Sequence, residues 1–332
     1  ERHLVFPDYA GNNHHNTLGN LPLDPRAGPA FVDFESGSLL QLTGLATIEW
    51  KATDLERFPG ARRMVAFEFD EAVEVESALP LRWDTPTGSV RSLRVAEKLR
   101  ESEDVTSFVF ESRDGGPLPD FSAGQHLPLE IEIPGQSLVA SRTYSLSNAP
   151  GEGRYRITLK RNPQGLVSRH LHDRVDTGDI LNARPPAGEF VLHETGDRPV
   201  VLVSAGVGLT PLVSILHALV ASGEERRVWF VHGARDGRHH PLADEVRRLT
   251  EAMPRVVLHV AYSRPLPEDE AGGRFDSRGR IDGALLESLV PGLEADFYLC
   301  GPAGFMAGVQ DDLEARGVAT ERIHTESFGP CC

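Results

Sequence analysis

The sequence predicts a chain that is part all-β and part α/β: an N-terminal β segment, a six-stranded antiparallel barrel, then a doubly wound parallel sheet. Three observations carry this. Strand-like runs separated mainly by turn residues fill the chain to about residue 190, strands alternate with helical patterns from Arg198 onward, and PVVLVSAGVGLTP, residues 199–211, joins the two halves. In that joining stretch Val200 to Val203 form an apolar run short enough for a strand buried on both faces. Gly206 and Gly208 break it, and Thr210-Pro211 open a helix, with Thr210 as the expected N-cap. A bare helix N-terminus behind close-approach glycines can receive a nucleotide's phosphates. The fingerprint G-x-G-x-x-G is incomplete, because Pro211 stands at the third glycine and no acidic residue closes the next strand, Arg227 to Arg235.

Composition narrows the function classes. The 332 residues are enough for two or three domains, and the net charge of -15 without a dense Lys/Arg cluster argues against a nucleic-acid partner. The chain reads as lacking a membrane span and a signal peptide. Its three cysteines, Cys300, Cys331 and Cys332, cannot build a disulfide framework, so a cytoplasmic setting is expected.

Residues 1–84 read as mostly β, with strands over 29–35, 39–44, 45–50 and 63–75 and a hairpin turn at Ser36-Gly37. The preceding stretch is rich in Gly, Asn and Pro and therefore irregular, and its His14-His15 pair reads as solvated loop, since adjacent histidines rarely face one ion. A linker is expected over 81–88. Six strands follow, over 89–100, 105–113, 126–133, 141–148, 154–161 and 179–190, with one short helix near 167–172, making a small barrel domain over 88–192. In the last domain, 197–332, strands are expected at 199–204, 227–232, 256–261, 296–300 and 322–326, and helices at 211–222, 241–253 and 303–316.

The N-terminal residues Asp8-Tyr9, Gly11-Asn12, Asn16 to Asn20, Pro25 to Gly28 and Phe31 to Phe34 give 1–84 a likeness: the segment resembles the C-terminal half of the pyridoxamine-phosphate-oxidase-like split barrel. That family's members often bind FMN, some bind haem, and they are usually dimers. The first half of the barrel is missing from the match, so open strand edges are expected and a structural or assembly use is placed ahead of cofactor binding.

The remainder resembles the ferredoxin–NADP reductase superfamily, most closely the reductase half of flavohaemoglobins and oxygenase reductases. Arg142-Thr143-Tyr144-Ser145 matches the flavin motif R-x-Y-S, and Gly165-Leu166-Val167-Ser168 matches the G-x-x-S/T opening of the diphosphate-binding helix. Gly206-Val207-Gly208-Leu209-Thr210-Pro211 matches the pyridine-nucleotide loop, Cys300-Gly301-Pro302 the C-G-P after the fourth strand, and Glu326 to Pro330 the terminal E-x-F-G-P.

The resemblance implies FAD and NADH or NADPH as cofactors. Arg142 can meet the flavin diphosphate bidentately, helped by the N–H groups at the helix start. Tyr144 offers a flat face, and Ser145 a hydrogen bond near the ring nitrogen that accepts hydride. Without their G-x-x-S partner, Arg142 and Tyr144 would read as ordinary strand residues. His126 follows Gly124-Gln125 where relatives carry a flavin-contacting aromatic. Cys300 and Glu326 are implied beside the nicotinamide, Phe328 beside the flavin, and Met306 among the nucleotide contacts. Ser263-Arg264, with Arg280, lies where relatives bind the adenosine end, which leans the reading toward NADPH.

No [2Fe–2S] ligand set with spacing C-x₄-C-x₂-C exists in the sequence, so the electron acceptor is expected to be a separate protein, a small molecule, or another part of something larger. The rival readings are a split-barrel flavin or haem oxidase with a fused reductase, and an assembly subunit that docks an oxygenase or dimerises through its N-terminal β segment.

Overall fold

A computed structural model describes residues 2–9, 16–33, 36–50, 61–76, 78, 90–134, 139–193 and 197–326. His14-His15, the expected linker and Phe328 lie outside them. The chain divides into two units, residues 1–88 with 329–332, and residues 89–328.

The first unit contains β1 (His3–Tyr9), α1 (Asn16–Asn20), β2 (Arg26–Ala27), β3 (Ala30–Val32), β4 (Leu39–Glu49) and β5 (Ala61–Val75). The sheet is antiparallel in the order β1-β5-β4-β2, with β3 also on β4. The two strands expected over 39–50 are one. Its register shifts between Thr43 and Gly44, where a Cβ would collide with the carbonyl of Glu68, so glycine lets the strand bulge and continue. Leu42, Ala46, Val65, Phe67 and Leu21 form a small core. Leu4, Val5 and Phe6 on β1 remain exposed.

In the second unit the antiparallel sheet is β6 (Arg91–Arg100), β7 (Val105–Ser112), β8 (His126–Ile131), β9 (Ala140–Ser145), β10 (Tyr155–Lys160) and β11 (Ile180–Ala183), with α2 (Leu166–Arg174) before the last strand. The order is β10-β7-β6-β11-β8-β9, and a bridge between Leu146 and Ile157 closes it into the expected barrel. Alternate positions point inward, so Leu127, Leu129 and Ile131 of β8 meet Phe108, Phe110 and Ile157 in a dry core. The last strand is shorter than the 179–190 expected. Pro185 and Pro186 lack N–H donors and interrupt the ladder, which resumes as a single bridge at Ala187.

The parallel sheet consists of β12 (Val200–Ala205), β13 (Val228–Ala234), β14 (Val256–Tyr262), β15 (Ser277–Arg278), β16 (Asp296–Cys300) and β17 (Ile323–Glu326). Its helices are α3 (Leu209–Ser222), α4 (Ala243–Glu251), α5 (Pro267–Ala271), α6 (Gly283–Leu289) and α7 (Ala303–Ala315). The elements α5, α6 and β15 were not expected, since five, seven and two residues are too few for a clear period. The strand order β15-β14-β13-β12-β16-β17 reverses at β12. Side chains of β12 alternate between a layer under α3 and α4 and one under α7. Leu242, expected within the second helix, is instead its N-cap, in a left-handed conformation at φ 55°.

Barrel and parallel sheet pack as one body. Ala123 and Phe190 from the barrel side join the apolar cluster under α3. His193 N–H donates to the Tyr298 hydroxyl at 3.0 Å.

Candidate functional site

In an open parallel sheet the ligand crevice lies beyond the carboxyl ends of the strands where their order reverses. Here that point is the end of β12 against the end of β16, and both ends carry glycines. Gly206 adopts φ +58°, a left-handed conformation that turns the chain out of β12 into a 3₁₀ turn over 206–208. A Cβ on Gly208 would collide with the Cys300 carbonyl and the Gly301 backbone. Bare backbone on both sides therefore lets the two loops touch. Thr210 is not the N-cap: Gly208 is, two residues earlier, and the Thr210 hydroxyl donates to the Val207 carbonyl at 3.1 Å, tightening the turn. Pro211 still falls in the first turn, where its missing N–H has no intrahelical partner.

A cavity of about 1100 Å³ opens over this crevice. Gly206, Val207, Pro302 and Phe305 line it near the switch point, and Ser263, Arg264 and Arg280 line it farther along the sheet. Arg235, which sequence reasoning did not single out, lines it too. It follows β13, at the place where a dinucleotide fold that prefers NAD carries an acid. The sequence shows the missing acid at that position; only the cavity shows the cation that stands there. His239 holds it: Nδ1 lies 2.7 Å from Asp236 Oδ1, and Nε2 lies 3.3 Å from an Arg235 Nη. Among the described residues Arg235, Arg264 and Arg280 form no ion pair with a carboxylate. The barrel contributes Asp104 and Lys160, paired at 2.9 Å, to the opposite wall.

Cys300 and Glu326, 26 positions apart in sequence, face each other in register on β16 and β17. Cys300 is fully buried in the cluster under α3. Burial, with the Glu326 charge adding to it, pushes the thiol pKa well up, so the sulfur is a neutral packing group. Burial also raises the Glu326 carboxyl. Met306 is buried on α7.

On the barrel, β9 pairs with β8 so that Ser145 faces His126 and Tyr144 faces Leu127. Ser145 is buried and Tyr144 is half-buried against the barrel core. Arg142 and Thr143 are exposed, and an Arg142 Nη donates to the Ser141 carbonyl at 2.7 Å. No described carboxylate pairs with Arg142, which leaves its charge for an anion. Burial lowers the His126 pKa, and Gly188 makes room for its ring. Gly165 is the N-cap of α2 and offers no side-chain cap, so the first-turn N–H groups have none. The Ser168 hydroxyl accepts from Asn162 N at 3.1 Å, closing the loop ahead of the helix.

These two sets are joined. Asn148, just past the R-T-Y-S strand, accepts at its carbonyl from Ser214 Oγ of α3 at 2.8 Å. An uncapped helix start and an arginine without a carboxylate partner are each able to hold an anion, and the cavity at the switch point is large enough for a nucleotide. No cluster of three or more His, Cys, Asp or Glu is placed for a metal ion among the described residues, and no helix there is long and apolar enough to cross a membrane.

Comparison with known proteins agrees with this arrangement. Residues 92–192 match the oxidoreductase FAD-binding domain family, and residues 202–311 match the oxidoreductase NAD-binding domain family. A flavohemoprotein of Deinococcus radiodurans is 45% identical over 240 residues, covering 72% of this chain. The chain spans 59% of that protein's length. A flavohemoprotein of Halalkalibacterium halodurans is 37% identical over 285 residues, covering 83% of this chain and 69% of the relative. Among solved structures, the flavohem-like FAD/NAD-binding domain of nitric oxide dioxygenase from Vibrio cholerae aligns with TM-score 0.66 and 38% identity, over 72% of this chain and 99% of that one.

Proposed function

The chain belongs to the flavohaemoprotein-like FAD- and NAD-binding oxidoreductases of the ferredoxin–NADP reductase superfamily, and from that premise we propose that it oxidises NADPH and passes the electrons to an acceptor outside residues 89–326. When bound, the cofactor pair supplies hydride transfer from the nicotinamide to the flavin ring. The chain's own residues bind, orient and exclude water. Arg142 and the α2 N-terminus would hold the flavin diphosphate, Tyr144 would offer its face to the ring, and Ser145 would offer a hydrogen bond near it. Gly206 would let the second nucleotide's phosphates approach bare backbone, Gly208 and Gly301 let the two loops behind it touch, and Cys300 with Glu326 would lie beneath the nicotinamide. A neutral thiol suits that floor, since it fills space without competing as a nucleophile.

One observation supports NADPH over NADH: Arg235, Arg264 and Arg280 line one cavity without a carboxylate partner, as a 2′-phosphate requires. The test of the whole reading is direct. Purified protein should carry FAD, and its flavin absorbance should bleach within one turnover on adding NADPH without air; a colourless protein, or a flavin indifferent to both nucleotides, overturns it.

The acceptor in this reading is a redox protein, another part of a longer chain, or a small molecule, in a cytoplasmic setting. Residues 1–84 serve assembly. In support, β1 pairs only with β5 among the described strands and leaves Val5 and Phe6 exposed, an edge that a second copy can cover. Sedimentation of the chain against a version lacking residues 1–84 tests this, with a dimer expected only for the longer one.

A further inference from the structure

Arg156, the second residue of β10, lies on none of the motifs above and does not line the nucleotide cavity. Its guanidinium nevertheless grips two other parts of the chain at once, and through one of them a third. On the barrel side Nε donates to Ser147 Oγ at 3.1 Å, and one Nη donates to the Ser147 carbonyl. On the other side the two Nη atoms fork onto Glu245 of α4, at 2.8 and 2.6 Å. Glu245 Oε1 also lies 2.7 Å from His217 Nε2 of α3. The Arg156 and Glu245 side chains are 14% and 16% exposed, so water screens the pair little.

The backbone around this fork is equally committed. Ser147 N–H donates to the Arg156 carbonyl at 2.8 Å, and Arg156 N–H donates to Asn148 Oδ1 at 2.8 Å. The Asn148 carbonyl is the acceptor for Ser214 Oγ of α3. Thr158 Oγ1 lies 2.8 Å from Ser147 Oγ and 2.7 Å from Ser107 Oγ, all buried. Residues 147–148 are thus clamped between β10 and the two helices that flank the nucleotide strands. They begin two positions after Ser145, the end of the strand that presents the flavin motif.

We propose that Arg156, Glu245 and His217 form an interlock that fixes the flavin-presenting strand end against α3 and α4, and that Arg156 is a positioning residue for hydride transfer. This rests on the function proposed above. The physical argument is directional. A buried ion pair adds little net stability, because desolvation offsets most of the attraction, and an apolar contact would hold the two layers together as well. An apolar contact can slide. A bidentate fork that also grips Ser147 cannot, and hydride transfer loses rate steeply when two rings shift by an ångström.

The experiment uses the full chain and two readouts. In the apoprotein, Glu245→Ala and Arg156→Ala should each raise amide hydrogen exchange at residues 146–148 and 156–158 by at least about tenfold. In the FAD-loaded protein, each should lower the single-turnover rate of flavin bleaching by NADPH about tenfold, with the Kd for NADP⁺ changed less than about threefold. The double variant should be no slower than either single one, because each single change already opens the interlock. Arg156→Lys, which keeps the charge but loses the fork, should fall between wild type and Arg156→Ala, and serves as the folding-tolerant variant. Bleaching within twofold of wild type in every variant, or unchanged exchange at 146–148, overturns the proposal. A wild-type protein that does not bleach at all overturns the proposed function instead, while the exchange data still decide whether the interlock exists.

Discussion

On the antiparallel sheet, the residues proposed to face the flavin are side chains on a well-packed strand: Arg142 and Thr143 exposed, Tyr144 half-buried. On the parallel sheet the switch point is built on glycines: Gly206 leaves open backbone at the cavity, and Gly208 and Gly301 are buried where the two loops touch. The difference follows from what each sheet leaves open. A closed barrel satisfies its own backbone, so it can offer only side chains and the end of one helix to an anion. A parallel sheet at its switch point offers backbone N–H groups and a helix start, provided nothing projects in front of them. Substitutions on the first surface should change affinity, and those on the second should change the fold.

The largest effect expected from that contrast is at Gly208. Its Cβ in Gly208→Ala would meet backbone atoms of Cys300 and Gly301, which cannot swing aside, and urea melts should show a loss of about 3 kcal/mol. Gly206→Ala meets no atom within 4 Å and suffers only from its left-handed φ, so about 1 kcal/mol is expected there. Equal costs at the two glycines would break the distinction.

Next comes Arg142→Ala, which should leave the apoprotein melt unchanged while weakening FAD binding by roughly 10- to 100-fold, the worth of a charged hydrogen-bonding partner. Equilibrium dialysis or flavin fluorescence measures it. A smaller shift should follow Arg264→Ala: kcat/KM for NADPH falls about tenfold and that for NADH holds, so the ratio of the two moves. An unchanged ratio would remove Arg264 from the 2′-phosphate site.

The smallest effect lies between the two surfaces. Burial of Glu245 opposes its charge, but hydrogen bonds from His217 and Arg156 outweigh this and bring its pKa from 4.5 down to about 2. A carboxylate lowered on folding stabilises the native state fully above pH 4.5, and that contribution is lost as pH falls toward 2. Glu245→Gln should therefore flatten part of the acid limb of stability against pH, without moving the alkaline limb. Melting temperatures at pH 3 to 7 would read this out.

Short-range pattern made much of this protein legible. The strand, glycine and proline run over 199–211 announces a βα turn, because burial, turn chemistry and helix entry are each local properties. Even there the start of α3 was misplaced by the hydroxyl of Thr210, which tightens the turn behind it rather than capping the helix in front. The bulge at Gly44 was read as a break between strands, since glycine signals both and only the partner strand carrying Glu68 decides which.

What the sequence determined by itself was therefore the order of elements, the alternation that makes one sheet antiparallel and the other parallel, and the motifs at their ends. Tertiary structure alone decided which distant residues meet. Arg156 grips Glu245 across 89 positions, Cys300 faces Glu326 across 26, and Arg235 joins Arg264 and Arg280 around one cavity. Periodicity reports the surroundings of a residue within a few turns or pleats. Ion pairs and cavity walls arise when strands far apart in the chain are laid side by side, and their members carry no mark of it in their own neighbourhoods.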